Sequence, residues 1–261
     1  MIILDPGHGG DDRGNRGPTG YIEADGVLDI GLRLRDGLIQ EGYDVRMTRE
    51  KDETVTLYDR TKMANSWQGS LLLSLHTNAG PEGADGIEIF YTLNNEWQNQ
   101  QHHQEAKRAA EVIQRSLVEA TGLRDRGVKT RLVDNTSSPI YGRDYYAVIR
   151  RSNMPALIIE MGFHSNPREE ALLKTPEFRQ KLADAIVKGM KEAYPMGDLP
   201  ASEKVQAEKR KIALTVHNNT VEVNGLFYEN RNYVPIKFFE EFGYEVTWDE
   251  VNSIVKIRYK K

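Results

Sequence analysis

Ile2-Ile3-Leu4-Asp5-Pro6-Gly7-His8-Gly9-Gly10 opens the chain with a short apolar run that stops at a turn carrying a histidine. A run of this kind, without alternation, fits a strand covered on both faces. Pro6, Gly7, Gly9 and Gly10 forbid its continuation as strand or helix, which places His8 on a rigid bend at the rim of a sheet. A second run, Leu71-Leu72-Leu73-Ser74-Leu75, ends in the same way on His76, followed by Thr77-Asn78-Ala79-Gly80. Two strands that each end in a histidine suggest a metal site.

The rest of the chain supplies a sheet for those strands. Residues 23–41 carry Val27, Leu28, Ile30, Gly31, Leu34, Leu38 and Ile39 on one helical face, and Gly42 ends that helix. Residues 43–48 read as a strand, 57–67 as a second helix and 86–92, which alternate cleanly, as a strand with one polar face. After a polar segment over 93–105 comes an amphipathic helix through Thr121, stopped by Gly122. Short strands are expected over 128–133 and 145–149, around a loop rich in Asn, Ser, Pro and Tyr. Ala156-Leu157-Ile158-Ile159-Glu160 is again a continuous apolar strand, and 176–193 form a last long helix. The expected fold is α/β: a mixed, mostly parallel sheet with helices on both faces and function at the strand ends.

At 261 residues the chain suits one domain of moderate size plus a small one. Lys plus Arg number 35 against 39 Asp plus Glu, and the net charge of -4 gives no electrostatic reason to expect nucleic acid. No stretch approaches the roughly 18 consecutive apolar residues of a membrane span, so no membrane partner is expected. The absence of cysteine excludes disulfides and thiolate chemistry, and leaves any metal to His and carboxylates. The first strand begins directly after Met1, so no leader is expected ahead of the fold.

Pro195, Gly197 and Pro200, followed by Ser, Glu, Lys and Gln, mark a hydrophilic linker over 196–211 between a domain at 1–195 and another at 212–261. The second domain changes to hairpins. Leu214, Val216, Val221 and Val223 alternate around Asn218-Asn219, and 246–248 pair with 254–259, with one short helix over 236–242, giving a small β-rich α+β unit.

Without cysteine, a catalytic zinc with three protein ligands and one open position needs three histidines, or two and a carboxylate. His8 and His76 supply two, and Glu23, at the start of the first helix, is the natural third, although a carboxylate there also suits a capping role. Glu160, ending an apolar strand, has the position of a general base.

Asp5-Pro6-Gly7-His8-Gly9-Gly10, then Gly14, Gly17, Gly20 and Glu23-Ala24-Asp25, Arg60 with Ala64-Asn65, Ser74-Leu75-His76-Thr77-Asn78-Ala79, and Pro155 to Phe163 with Ser165-Asn166 resemble the zinc-dependent N-acetylmuramoyl-L-alanine amidases of the type 3 family, over about residues 1–195. The resemblance implies zinc on His8, Glu23 and His76, with Glu160 the catalytic carboxylate. It implies hydrolysis of the amide joining N-acetylmuramic acid to L-alanine in peptidoglycan. Ala24 stands where that family commonly has lysine, Asn15 where it often has alanine and His164 where an aliphatic residue is usual.

Other polar residues have two readings. Asp5 is either a partner orienting His8 or a turn former before proline. Arg60 and Asn65 are expected to bond backbone and loops. His102 and His103 are expected on a solvated face, His217 apart from the metal, and Arg143, Arg150 and Arg151 either on the surface or against stem-peptide carboxylates. His164, four positions from Glu160, either approaches the substrate or packs.

Asn232-Tyr233-Val234-Pro235-Ile236, Phe239 and Gly243 to Asp249, with Val255-Lys256-Ile257, resemble the copper amine oxidase N-terminal-like stalk domain found on surface and lytic proteins. That resemblance implies a module binding a cell-wall polymer, with Tyr228, Tyr233 and Trp248 as contacts or as core. The expected function is therefore a cell-wall hydrolase. Its expected setting is a phage endolysin held in the host cytoplasm until release, or the extracellular wall if a leader has been removed. The alternatives are a zinc peptidase cutting within the stem peptide and a catalytically silent wall-binding protein.

Overall fold

The computed structural model describes residues 1–94 and 100–195, apart from the side chains of 100 and 101, and beyond them the backbone of five strands within 208–259. Strand β1 (Ile2–Pro6) is flanked by β2 (Val45–Met47) and β3 (Leu71–Asn78), both parallel to it. Both of its edges are thus paired, which makes it an interior strand. β6 (Ala156–Phe163) follows β3 in parallel, β4 (Ile87–Tyr91) runs antiparallel to β6, and β5 (Asp125–Lys129) closes the edge parallel to β4. The order is β2-β1-β3-β6-β4-β5, a mixed, mostly parallel α/β sheet as expected.

Helices α1 (Glu23–Gln40), α3 (Gln100–Thr121) and α6 (Pro176–Ala193) cover one face. There Ile2, Leu4, Leu71, Leu73, Leu75, Leu157, Ile159, Ile87 and Ile89 are wholly buried. The other face takes α2 (Leu57–Ser66) and the short α4 (Ala147–Arg150), burying Ile3, Leu72, Ala156 and Ile158 with Ala64, Val148, Ile149 and Met154. Two residues further along the same strands this second face becomes polar. Asp5 lies opposite Ser74, and His76 opposite Glu160, which in turn lies opposite Glu88. Past His76 and Glu160 the register shifts, β6 holding one extra residue before Phe163 meets Asn78, a bulge that ends regular pairing beside the site.

Three expectations change. Residues 145–149 are not a strand: the Asp144 carboxylate accepts the Tyr146 N–H, and α4 follows, turning Val148 and Ile149 onto the sheet. The strand expected over 128–133 sits earlier, at Asp125–Lys129. A helix not anticipated, α5 (Pro167–Leu173), is capped by Asn166, whose side chain accepts from the Arg168 and Glu169 amides, with proline in its first turn. Helix α6 has the expected bounds because Thr175-Pro176 carries the same start signal.

The chain divides into two units, Met1–Ser202 and Glu203–Lys261. In the second, β7 (Glu208–Val216), β8 (Asn219–Tyr228) and β9 (Arg231–Tyr233) form one antiparallel sheet, and β10 (Tyr244–Asp249) and β11 (Ile254–Tyr259) another. β7 starts inside the span expected as linker. Residues 196–207 and the helix expected over 236–242 lie outside the described residues. Among the described residues no helix is long and apolar enough to cross a membrane.

Candidate metal centre

The turn that carries His8 is held by two buried arginines. Arg60 donates to the carbonyls of Pro6 (2.7 Å) and His8 (2.6 Å) and to Asp5 Oδ1 (2.7 Å). Arg49 donates to the carbonyls of Pro6 (2.9 Å), Gly7 (2.8 Å) and Ala24 (2.8 Å), tying the turn to the start of α1. These bonds stabilise His8 in a left-handed backbone conformation, φ 59°, that a residue with a Cβ adopts at a cost. Burial lowers the Arg49 guanidinium to about 10. Burial would raise the Asp5 carboxyl, but Arg60, Thr48 and Ser74 overcome it and hold the group below the usual range. Asp5 thus anchors Arg60 and does not touch His8.

The group that orients His8 is Asp12. Both of its carboxylate oxygens lie 2.9 Å from His8 Nδ1, which leaves Nε2 facing Glu23 Oε1 at 3.3 Å. A carboxylate on the far ring nitrogen fixes the imidazole's orientation and raises its basicity. His76 Nδ1 lies 3.1 Å from the same Glu23 oxygen. Glu23 is buried in the first turn of α1, and its other oxygen accepts the Asn15 amide at 3.1 Å. Two glycines make the approach possible: a Cβ on Gly7 would lie 2.2 Å from the His76 ring, and one on Gly14 2.7 Å from Glu23 Oε2.

One ligand atom from each of His8, Glu23 and His76 falls within 4.8 Å of the others. Burial opposes charge on all three, yet their mutual contacts win. His8 is raised to about 8 by Glu23 and Asp12, His76 is raised by Glu23 and Glu160, and Glu23 is held far below the usual carboxylate range. Two imidazole nitrogens and a carboxylate oxygen converging in this way fit a metal ion.

Glu160 stands beside His76 across the β3–β6 pairing. Burial, opposed by His76 and reinforced by Glu23 and Glu88, pushes its carboxyl up to about 7. Its Oε2 is buried with no hydrogen-bond partner among the described residues. Glu88, next in the row, is paired with Arg126 (2.7 Å) and Lys129 (2.5 Å).

His164 is fully buried behind the cluster. Its Nδ1 lies 2.9 Å from Thr77 Oγ1, and its ring stacks on Tyr21 at 5.9 Å, while the Thr77 amide donates to Glu23. It therefore packs. Glu170, also buried, accepts the Thr19 and Tyr21 amides and pins the loop before Glu23. Asn65 bonds the Arg151 carbonyl, as expected of it. His103 corrects its expectation: it lies on α3, with Nδ1 2.8 Å from the Thr92 carbonyl. Arg150 is structural, donating to the Asp144 and Tyr145 carbonyls. His217 lies outside the described residues. Sequence reasoning missed Asp12, Arg49 and Glu170. Asp12 alone carried a signal, a carboxylate four residues from a histidine in a glycine-rich turn.

A family model described as N-acetylmuramoyl-L-alanine amidase matches residues 2–192. The protein YqiI of Bacillus subtilis is 35% identical over 193 residues, 74% of this chain and 84% of that one. The N-acetylmuramoyl-L-alanine amidase AmiA of Escherichia coli is 29% identical over 236 residues, 80% of each. The catalytic domain of CwlV, an N-acetylmuramoyl-L-alanine amidase from Bacillus (Paenibacillus) polymyxa, superposes with a TM-score of 0.61 at 29% identity, covering 73% of this chain and 96% of that domain. With the family model matched over most of its length, the chain belongs to the N-acetylmuramoyl-L-alanine amidase family.

Proposed function

We propose that this amidase works as a zinc enzyme on bacterial peptidoglycan, with His8, Glu23 and His76 as the metal ligands and Glu160 as the proton carrier. The observation that supports the reading is the convergence of the three ligand atoms beside an unpartnered, buried Glu160 Oε2. The bond cut is the amide between N-acetylmuramic acid and L-alanine. Zinc held by these three residues would supply Lewis acidity toward the scissile carbonyl and water. Asp12 and the two arginines keep the His8 ring aimed, so ligand geometry is preorganised. Glu160 Oε2 accepts the proton of the attacking water and returns it to the departing alanine nitrogen. A carboxylate oxygen with no other hydrogen-bond partner is free for both halves of that transfer.

Mass spectrometry of purified peptidoglycan digested with and without a zinc chelator tests this. The expected products are free stem peptides beginning at alanine and glycan with bare lactyl groups, all abolished by the chelator and restored by zinc. Cuts between amino acids would make the protein a zinc peptidase, and chelator-resistant cleavage would overturn the metal assignment.

The second unit, Glu203–Lys261, is proposed as the wall-binding part, on the strength of its resemblance to stalk domains and its separate strands. Removing 196–261 is expected to leave an active catalytic unit that sediments less with intact walls. Unchanged sedimentation would sink the targeting role.

A further inference from the structure

Residues 131–145 leave the sheet edge after β5 and return at α4 as a closed loop. The Tyr145 amide donates to the Arg131 carbonyl at 2.8 Å, Leu132 bridges Asp144, and the Val133 amide bonds the Arg143 carbonyl at 2.9 Å. The loop base is therefore fixed, and it sets Arg131 and Tyr145 side by side. The Arg131 guanidinium lies 3.7 Å above the Tyr145 ring and 5.9 Å from that of Tyr146, the two rings meeting edge to face at 5.2 Å. Stacking of this kind holds a planar cation in place while leaving its edge open to donate.

The base adjoins the reaction site. Tyr146 packs on Phe90 at 4.9 Å. Phe90 is two residues from Glu88 on the same face of β4, and Glu88 lies opposite Glu160. The cations nearby are otherwise engaged: Arg126 and Lys129 by Glu88, Arg150 by loop carbonyls. Arg131 is exposed and spends part of its guanidinium on a hydrogen bond to the Tyr146 hydroxyl, with the remaining N–H groups engaged in no ion pair among the described residues.

We infer that Arg131, stacked on Tyr145, is a subsite for a carboxylate on the peptide arm of the substrate, a reading that rests on the amidase function proposed above. The chemistry of the two arms selects that side. The lactyl carboxyl of the sugar is consumed in the scissile amide, so the glycan is uncharged near the cut, whereas the stem peptide carries carboxylates. A planar guanidinium binds a carboxylate through two parallel hydrogen bonds. Arg131 is thus a specificity residue for acidic over amidated stems.

The test uses the full chain and two probes, L-alanyl-D-glutamate with its γ-carboxyl capped as the methylamide and the same capped dipeptide amidated at the α-carboxyl as well, titrated by NMR, together with kinetics on the matching muramyl peptides. The expected result is that the wild type prefers the free carboxylate, and that Arg131→Gln weakens the acidic probe by about tenfold. It should raise KM for the acidic substrate with kcat unchanged, and leave the amidated pair untouched. Arg131→Lys, which keeps charge without the planar fork, should recover only part. Equal loss on both probes, or none on either, would overturn the subsite. Probe binding that depends on Arg131 while mass spectrometry shows no free alanine terminus would keep the subsite and reject the amidase reading. Cleavage with binding indifferent to Arg131 would do the reverse.

Discussion

The two faces of one sheet divide the labour of this protein. Toward α1, α3 and α6 the central strands are apolar through most of their length, Leu71, Leu73 and Leu75 following one another without exposure. Toward α2 and α4 the alternate residues begin the same way, with Ile3, Leu72 and Ile158, then change within two positions to Asp5, Ser74, His76 and Glu160. Successive side chains of a strand point to opposite faces, so a single strand supplies core and chemistry without compromise between them. The continuous hydrophobic face packs the sheet onto its helices, and the same strands carry the polar row of the second face.

This division can be broken from either side. The largest effect is expected on the chemical face. Glu160→Gln should lower kcat by about 10² to 10⁴-fold while melting temperature and zinc content stay at wild-type values, checked by turnover assay and metal analysis. Near-normal turnover would remove Glu160 from the mechanism.

Leu73→Ala on the opposite face should do the converse. It leaves a cavity in the wholly buried layer under the site and should cost about 2–5 kcal/mol of stability by urea unfolding, with kcat per folded molecule unchanged.

A smaller effect belongs to Asp12, which touches His8 and not the reacting groups. Asp12→Ala should weaken zinc about 10 to 100-fold in chelator competition, and turnover at saturating zinc should largely return.

The smallest concerns Asp144, at the foot of the 131–145 loop. Burial outweighs the Tyr146 and Leu93 amides that it accepts and raises its carboxyl to about 7 from 3.8. The folded state therefore holds this proton more tightly than the unfolded chain. The associated stability is complete below about pH 4 and is lost as pH rises through about 7. Denaturant midpoints at pH 4.5 and 7.5 should differ less in Asp144→Asn than in the wild type.

Patterns local in the chain were legible. The apolar runs that end on His8 and His76 announced two parallel strands delivering histidines. The periodicity of residues 23–40 and the Thr175-Pro176 start signal gave helices α1 and α6 close to their observed bounds. Strand, turn and cap preferences depend on neighbours a few residues away, so they are written in short windows. Where a window carried two meanings it misled. Tyr145 to Ile149 has the residues of a strand, but no strand stands beside it. Its apolar pair is buried by folding down onto the sheet as α4.

By itself, then, the sequence determined the α/β order of elements, the position of His8 just past β1, the helix-start position of Glu23 and which strands carry His76 and Glu160, although those strands run on to Asn78 and Phe163 rather than ending on them. Only the tertiary structure decided which atoms meet. It chose Asp12 over Asp5 as the orienting partner of His8, set Arg49 and Arg60 as clamps on its turn, placed Glu160 level with His76 and stacked Arg131 on the tyrosine pair that packs on Phe90. The reason is separation along the chain. Glu160 and His76 meet through strand register, and Arg60 reaches the His8 carbonyl from helix α2. Contacts between distant residues leave no trace in any short window; they exist only once packing has fixed where each element lies.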